Sequence, residues 1–205
     1  MSATIAIIDY QMGNLRSVQK ALEHVGGHAI VSSDPETIAK ADKVILPGVG
    51  AFRDAMRELS SRGLIEAIHQ FLRTERPFFG ICLGAQLLLD RGYEGGEHAG
   101  LGVISGEVVR FQLPIQYKVP HMGWNGVEAT SNRTRMLNNI EDKAHFYFVH
   151  SYYCVPSNAD DVWLEADYGG PFCAAIHRNQ IFATQFHPEK SQRDGLQLLK
   201  NFVEC

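Results

Sequence analysis

The stretch PFFGICLGAQLLLD, Pro77–Asp90, decides the fold, because its apolar run ends at Cys82 with a glycine two residues away on each side. Short apolar runs are typical of buried strands, and glycines permit a sharp turn of the backbone. The following residues, Ala85–Asp90, continue in a helical pattern. The stretch therefore predicts a strand, a tight turn with the Cys82 sulfur at its tip, and a helix.

The first half of the chain repeats this alternation of strand and helix. Apolar runs predict three further buried strands, at Thr4–Asp9, His28–Val31 and Lys43–Gly50. Helical spacing predicts one helix from Asn14 to Val25 and two more between Phe52 and Arg73, with Gly63 as the break. Repeated βα units of this size imply a parallel sheet with helices on both faces.

Beyond Gly92 the sequence is rich in β-forming residues separated by turn residues. The segments that predict strands are 102–111, 117–125, 145–154, 171–177 and 181–187, and a helix returns over 192–203. We therefore predict a single α/β domain over residues 1–205. Its open, mainly parallel central sheet is flanked by helices and has an antiparallel β extension in the second half.

The composition limits the function. The 205 residues are 45% hydrophobic and 20% charged, and the formal net charge of −4 gives no sign of a nucleic-acid-binding surface. The chain has no apolar run of the roughly 20 residues that span a bilayer. The four cysteines show no paired spacing, which argues against a disulfide framework or a metal site and favours a reducing cytoplasm.

Cys82 is the first candidate for chemistry. The order Gly80-Ile81-Cys82-Leu83-Gly84 has the form of a nucleophile elbow, in which a strained turn between strand and helix exposes the reactive side chain. A helix that begins at the sulfur also favours the thiolate. A tight turn around an inert buried cysteine is the alternative reading of the same pattern.

The sequence QFHPE, 185–189, supplies a possible partner for this cysteine. In an extended segment residues two apart point the same way, so His187 and Glu189 are predicted to share one face, and Pro188 keeps the backbone out of helix. A carboxylate beside an imidazole orients the ring while its other nitrogen faces the nucleophile. A surface turn with ordinary polar residues is the alternative.

Two further stretches follow predicted strands. Glycines in Pro47–Gly50 let backbone N–H groups approach a ligand, and with the N–H of Leu83 this loop forms a possible oxyanion hole. The loop lacks the third glycine of a dinucleotide fingerprint, and it is alternatively only a turn. His150-Ser151-Tyr152 either lines a polar pocket or contains an ordinary core histidine.

Taken together, GICLGAQ, FHPEKS and PGVG resemble the class I (triad) glutamine amidotransferases, which have a flavodoxin-like fold. The longer strings IIDYQMGNLRSV, ILPGVGAF, PHMGWN and FYFVHSYY are similar to the glutaminase subunits of imidazole glycerol phosphate synthases. The resemblance covers nearly the whole chain. One position departs from it, because Gln11 stands where these sequences usually have glycine.

The resemblance implies a catalytic triad of Cys82 as nucleophile, His187 as base and then acid, and Glu189 as the group that orients the histidine. It implies no cofactor. It assigns the oxyanion donors to Val49, Gly50 and Leu83, and recognition of L-glutamine to Gly50, Gln86, Ser151 and Tyr152.

The resemblance also implies a partner, a (βα)8-barrel cyclase subunit that consumes the ammonia. Its predicted contacts are Met12, Asn14, Arg16, Trp124, Asn125 and Lys190, although Trp124 is alternatively a core aromatic and Lys190 a solvated charge. Three other functions stay open at this point. They are an amidotransferase subunit of another pathway, such as anthranilate or pyridoxal-phosphate synthesis, a non-catalytic regulatory protein on the same fold, and a cysteine hydrolase or chaperone.

Overall fold

The computed structural model describes residues 3–130 and 134–205. The strands are β1 (Thr4–Ile8), β2 (His28–Ser32), β3 (Lys43–Gly48), β4 (Phe78–Cys82), β5 (Leu89–Gly92), β6 (His98–Ala99), β7 (Ile104–Arg110), β8 (His121–Gly126), β9 (Glu128–Ala129), β10 (His145–His150), β11 (Tyr152–Pro156), β12 (Val162–Asp167), β13 (Pro171–Arg178) and β14 (Ile181–Thr184). The α-helices are α1 (Leu15–His24), α2 (Pro35–Lys40), α3 (Phe52–Ser61), α4 (Leu64–Leu72), α5 (Leu83–Gln86) and α6 (Gln192–Glu204). Short 3-10 helices occupy Arg135–Leu137, Ala159–Asp161 and Pro188–Lys190.

The central sheet is parallel in its first half and mostly antiparallel in its second. Strands β2, β1, β3, β4 and β14 lie side by side in that order, and all are parallel. The sheet continues through the antiparallel strands β13, β11 and β7, and then through β5 and β6. Strands β8 and β10 form a separate antiparallel pair. The predicted α/β fold with an antiparallel extension is thus confirmed.

Two apolar layers cover the faces of the parallel strands. Side chains alternate along a strand, so Ile5 and Ile7 of β1 pack on one face, where α1 and α6 also lie. Ala6 and Ile8 pack on the other face with α2, α3 and α4. All four side chains are completely buried. Helices therefore flank the sheet as predicted, and the loops at the carboxyl ends of the strands are left to form a site.

A buried lysine joins the start of β3 to the end of α6. The Lys43 side chain donates to the carbonyl oxygens of Phe202, Val203 and Cys205, each at 2.8 Å. These carbonyls lie in the last turn of the helix and at the residue after it, where backbone acceptors lack partners within the helix. The three bonds satisfy both the buried ammonium group and the helix end.

One predicted helix is wrong. The helix expected over Ala85–Asp90 is a single turn, α5, and Leu89–Gly92 is a strand that pairs with β7. The run Leu87-Leu88-Leu89 is completely buried, and continuous apolar residues fit a buried strand as well as a buried helix. The side chain of Asp90 accepts from the N–H of Gly106 at 2.9 Å, which holds this segment against β7.

Helix α2 and the strands β6, β9 and β12 were not predicted, and several observed strands are shorter than expected. Strand β3 ends at Gly48, before the loop. Helix α2 begins after Asp34, whose carboxylate accepts from the N–H of Thr37 at 3.0 Å, with Pro35 in the first helical position. The Asp-Pro start of α2 is a usable sequence signal.

Within the described ranges, no helix is long and apolar enough to cross a membrane. No group of three or more histidine, cysteine, aspartate or glutamate side chains in those ranges is arranged to hold a metal ion.

Candidate active site

Cys82 lies at the end of β4 in a strained backbone conformation. Its φ is +54° and its ψ is −109°, a combination that residues with a Cβ rarely adopt. The glycines on each side permit this turn to pack tightly. A Cβ at Gly84 would lie 1.8 Å from the carbonyl oxygen of Leu46, and one at Gly80 would lie 2.9 Å from the carbonyl oxygen of Gly84. The flanking glycines therefore serve close backbone packing around the cysteine.

His187 and Glu189 are in direct contact, as the sequence spacing predicted. Nδ1 of His187 is 2.8 Å from Oε1 of Glu189, and their side chains are only 3% and 1% exposed. The predicted backbone is wrong, however, because Pro188–Lys190 is a 3-10 turn rather than an extended segment. Proline fits the first position of such a turn because its fixed φ is helical and its missing N–H is not needed there.

Strand β10 fixes the backbone of His187. The N–H of His187 donates to the carbonyl oxygen of Tyr147 at 3.0 Å. The Ser191 hydroxyl donates to the carbonyl oxygen of His187 at 2.6 Å and accepts from the N–H of Tyr147 at 2.9 Å. These bonds fix the position of the imidazole from outside the main sheet.

The charges around His187 favour its protonated form. Burial lowers the pKa of His187, but interactions with the Cys82 sulfur and with Glu189 outweigh it and raise the pKa to about 10. The ring atom Nε2 is buried and has no hydrogen-bond partner within the described residues. With Nδ1 committed to Glu189, Nε2 is the atom available for proton transfer at the sulfur.

The glycine loop after β3 faces the same site. The N–H of Val49 donates to the carbonyl oxygen of Met12 at 3.3 Å. Gly50 has a φ of +100°, and a Cβ there would lie 2.9 Å from the terminal methyl carbon of Met12. In this conformation the Val49 amide is therefore engaged by Met12 and is not a free oxyanion donor.

A cavity of about 310 Å³ lies between these groups. It brings together eight of the predicted catalytic, oxyanion and glutamine-binding residues, namely Val49, Gly50, Cys82, Leu83, Gln86, Ser151, Tyr152 and His187, and also the predicted contact residue Lys190. Glu189 does not line the cavity and contacts His187 instead. The cavity is large enough for a single amino acid, and its lining combines polar and apolar groups.

The structure adds a lining residue, Glu94, that was not assigned a role from the sequence. Glu94 lines the cavity and accepts from the N–H of Phe52 at 2.8 Å, which ties it to the start of α3 just after the glycine loop. His150 also lines the cavity, so both readings of this histidine hold, because it is buried as well. Glu94 lies in the loop between β5 and β6, remote from the recognisable motifs, and no sequence pattern indicated a role for it.

The other predicted contact residues lie outside the cavity lining. Arg16 is exposed, and Met12 and Asn14 are partly buried in the loop before α1. Trp124 is 46% exposed and is therefore not a core aromatic. Its ring meets Tyr147 edge-on at 6.2 Å. The Asn125 side chain donates to the carbonyl oxygen of Asp167 at 2.8 Å.

Comparison with known proteins identifies the family of this chain. The glutamine amidotransferase class-I family model matches residues 6–205. The imidazole glycerol phosphate synthase subunit HisH of Rhodopirellula baltica is 54% identical over 97% of this chain and 96% of that protein. The HisH subunit of Syntrophotalea carbinolica is 52% identical over 97% and 98%. The structure of PurLQS from Thermotoga maritima has the same fold, with a TM-score of 0.76 at 18% identity, covering 100% of this chain and 99% of that one. The chain belongs to the class-I glutamine amidotransferase family and, within it, to the HisH subunits of imidazole glycerol phosphate synthase.

Proposed function

We propose that this chain hydrolyses L-glutamine to glutamate and ammonia as the glutaminase subunit of imidazole glycerol phosphate synthase, in histidine biosynthesis. The main observation in favour is that His187 holds Glu189 at 2.8 Å through Nδ1 while its Nε2 stays unpartnered beside a strained Cys82. The names of the relatives favour this pathway over anthranilate or pyridoxal-phosphate synthesis.

The first half of the reaction forms a thioester. The Cys82 thiolate attacks the side-chain amide carbon of glutamine, and the carbonyl electron pair moves to the oxygen. His187 donates the proton on Nε2 to the departing nitrogen, so that ammonia leaves and the carbonyl re-forms. A protonated imidazole beside the sulfur suits this start, because it stabilises the thiolate and already carries the proton to be donated.

The second half releases glutamate. The now neutral His187 takes a proton from water through Nε2, and the hydroxide formed attacks the thioester carbon. The carbon–sulfur bond breaks, the sulfur leaves as thiolate, and His187 is again protonated. Glu189 stabilises the imidazolium in both halves and keeps Nδ1 protonated. No cofactor or metal is needed for these steps.

The oxyanion formed in each half requires N–H donors. Leu83, which follows the nucleophile, and the loop residues Val49 and Gly50 are the proposed donors. Because the Val49 N–H is bound to Met12 at 3.3 Å, the loop has to reorient before it assists the reaction. We assign this reorientation to the arrival of the partner subunit, which would limit the loss of glutamine when ammonia is not needed.

The cavity suits glutamine at both ends. Gln86, Ser151 and Tyr152 offer amide, hydroxyl and backbone groups for the amino-acid end, and Gly50 permits close approach of the backbone. Glu94 adds a carboxylate, which is complementary to an α-ammonium group. An amino acid whose side chain ends in a carboxylic acid lacks the amide nitrogen, so attack by Cys82 would release no ammonia.

We propose a (βα)8-barrel cyclase subunit as the partner, with which the chain forms a heterodimer. Its predicted contacts are Met12, Asn14, Arg16, Trp124, Asn125 and Lys190. Exposed apolar side chains support a docking role, since Trp124 is 46% and Met122 63% exposed, and Val49, which lines the cavity, is 40% exposed. We also propose a cytoplasmic location, where the four free cysteines would remain reduced. We also propose that residues 1–205 form a single domain.

The proposal is tested by co-expressing the chain with the cyclase subunit of the same genome and measuring synthesis of imidazole glycerol phosphate from glutamine. Cys82→Ala should abolish this synthesis. The same variant complex should still make the product from an ammonium salt at alkaline pH, where ammonia is present as the free base.

The ammonium arm separates release of ammonia from its use. Loss of both activities in an intact Cys82→Ala complex would contradict the proposed division of labour. Retention of glutamine-dependent synthesis would remove Cys82 from its role as nucleophile.

A further inference from the structure

Gln185 is a buried residue that contacts the catalytic sulfur. It follows β14 directly, two residues before His187, and it is only 2% exposed. Its side-chain Nε2 is 3.7 Å from Sγ of Cys82, within the range of an N–H···S hydrogen bond. It does not line the cavity. Gln185 therefore contacts the reacting atom without being placed to contact the substrate.

The orientation of the Gln185 amide is determined by its neighbours. A side-chain atom of Gln86 lies 2.8 Å from the carbonyl oxygen of Tyr152, and since a carbonyl only accepts, that atom is the NH2 group. Its second N–H then points to Gln185, 3.0 Å away. The acceptor on Gln185 must be Oε1, which leaves its NH2 group facing the sulfur.

Two buried histidines belong to the same network of hydrogen bonds. His150 Nδ1 is 2.9 Å from the carbonyl oxygen of Tyr152, so it carries the proton and donates. Burial lowers the pKa of His150 to about 3, so the ring is neutral at physiological pH and its Nε2 is an acceptor. His121 Nδ1, at 3.2 Å, donates to it. The Tyr152 carbonyl thus accepts two hydrogen bonds, and the direction of every bond up to Cys82 is defined.

We propose that Gln185 is a catalytic residue whose amide N–H stabilises the thiolate of Cys82, and that Gln86 keeps this N–H directed at the sulfur. The proposal rests on the glutaminase function proposed above. The donor acts twice, on the attacking thiolate and on the same thiolate when it leaves the thioester. Neither step changes the proton balance of the reaction, because Gln185 donates a hydrogen bond and transfers no proton.

A buried N–H donor to an anionic sulfur changes the acidity of the thiol more than it changes the binding of glutamine. A hydrogen bond to a charged group corresponds to a change of about one to two pH units in the midpoint of thiolate formation. Without the Gln185 donor, Cys82 should form its thiolate at higher pH. Once fully ionised, the same thiolate should be at least as nucleophilic, since nucleophilicity rises with thiol pKa.

The test is the rate of Cys82 alkylation by iodoacetamide between pH 5 and 10, followed by peptide mapping of the intact chain. Gln185→Met removes donor and acceptor at similar length, and Gln185→Glu replaces the donor with an acceptor. Both variants should move the midpoint to higher pH by about one unit or more and slow alkylation at neutral pH about tenfold. Partly buried Cys205 in the same sample reports whether the fold is intact.

A matched control is Gln112→Glu, the same change at an exposed glutamine that does not line the active cavity. Its Cys82 profile should equal that of the unmodified chain. In the complex with the cyclase, the Gln185 variants should lower kcat about 10- to 100-fold with little change in KM, whereas a substrate-binding role would raise KM.

An unmoved Cys82 midpoint in both Gln185 variants, with Cys205 unchanged, would overturn the proposal and leave the glutaminase function in place. A rise in KM at constant kcat would also overturn it. The alkylation profile does not depend on turnover of glutamine, so failure of the proposed function is recognised separately, by glutamine-dependent synthesis in Cys82→Ala.

Discussion

The backbone N–H of Val49 donates to the carbonyl oxygen of Met12 at 3.3 Å, so this proposed oxyanion donor is not free to bind an oxyanion. The two residues lie on different loops, one after β1 and one after β3. A partner that docks on the first loop therefore has direct access to the donor. The proposed regulation by the partner and the proposed contact of the partner with Met12 therefore both involve this hydrogen bond.

We expect the isolated chain to hydrolyse glutamine slowly and the complex with the ligand-bound cyclase to be faster. Loss of one oxyanion donor costs about 10²–10³ in rate, so freeing Val49 should raise kcat by that order. Glutaminase assays of the chain alone, with cyclase, and with cyclase plus its nucleotide substrate measure the effect. Full activity in the isolated chain would contradict this role of the Val49–Met12 bond.

Glu189→Gln should reduce glutamine hydrolysis much less than Cys82→Ala. The carboxylate orients His187 and stabilises its charge, whereas the sulfur forms the covalent bond. Orienting carboxylates still contribute strongly to triads, so the Gln variant should retain measurable turnover. The measurement is kcat in the complex, and equal losses in the two variants would show that the distinction is wrong.

The buried histidine pair should destabilise the protein in acid. Burial lowers the pKa of His121 to about 4 and that of His150 to about 3. The unfolded chain takes up protons near pH 6.5, whereas the folded chain does not until pH 4 or below. The unfolded state therefore binds more protons in this window, and the free energy of unfolding falls by about 1.4 kcal/mol per pH unit for each histidine.

Urea unfolding at pH 7 and pH 5 tests this prediction. His121→Phe should lose roughly half of the acid-dependent decrease, because one buried group no longer titrates. His145→Gln, a change at an exposed histidine, is the matched control and should keep the full decrease. An equal pH dependence in His121→Phe and the unmodified chain would exclude the pair as the source.

Gly84→Ala should be strongly destabilising, because the new Cβ would lie 1.8 Å from the carbonyl oxygen of Leu46. Overpacking of this kind costs about 1–3 kcal/mol or more. Gly95→Ala is the control, since nothing lies within 4 Å of an added Cβ there, and its positive φ of +69° adds a backbone strain that Gly84→Ala does not have. Thermal unfolding should show a much larger fall in Tm for Gly84→Ala, and equal falls would remove the packing explanation.

The sequence was informative where a residue type is tied to local geometry. The βα alternation, the glycines around Cys82 and the two-residue spacing of His187 and Glu189 all predicted features that the structure has. The run Leu87-Leu88-Leu89 was misread because a fully buried segment has no periodicity to distinguish strand from helix.

Other features depend on contacts that no local pattern contains. Glu94 meets the start of α3 only after the chain has folded, and the Val49–Met12 bond joins two loops that are separate in sequence. Gln185 lies inside the QFHPEKS string, yet its role depends on the direction of an amide that Gln86 determines. Such cooperative hydrogen bonding is a property of the assembled site.

The positive φ of Cys82 sets catalysis against stability at a single position. A backbone with φ +54° and ψ −109° costs a residue with a Cβ about 1–3 kcal/mol, whatever its side chain does. Glycine would thus be the least strained residue at position 82, but it has no side chain that could attack an amide. Alanine keeps the strain and removes only the sulfur, whereas glycine removes both. A change to glycine at position 82 would therefore relieve backbone strain and at the same time remove the nucleophile.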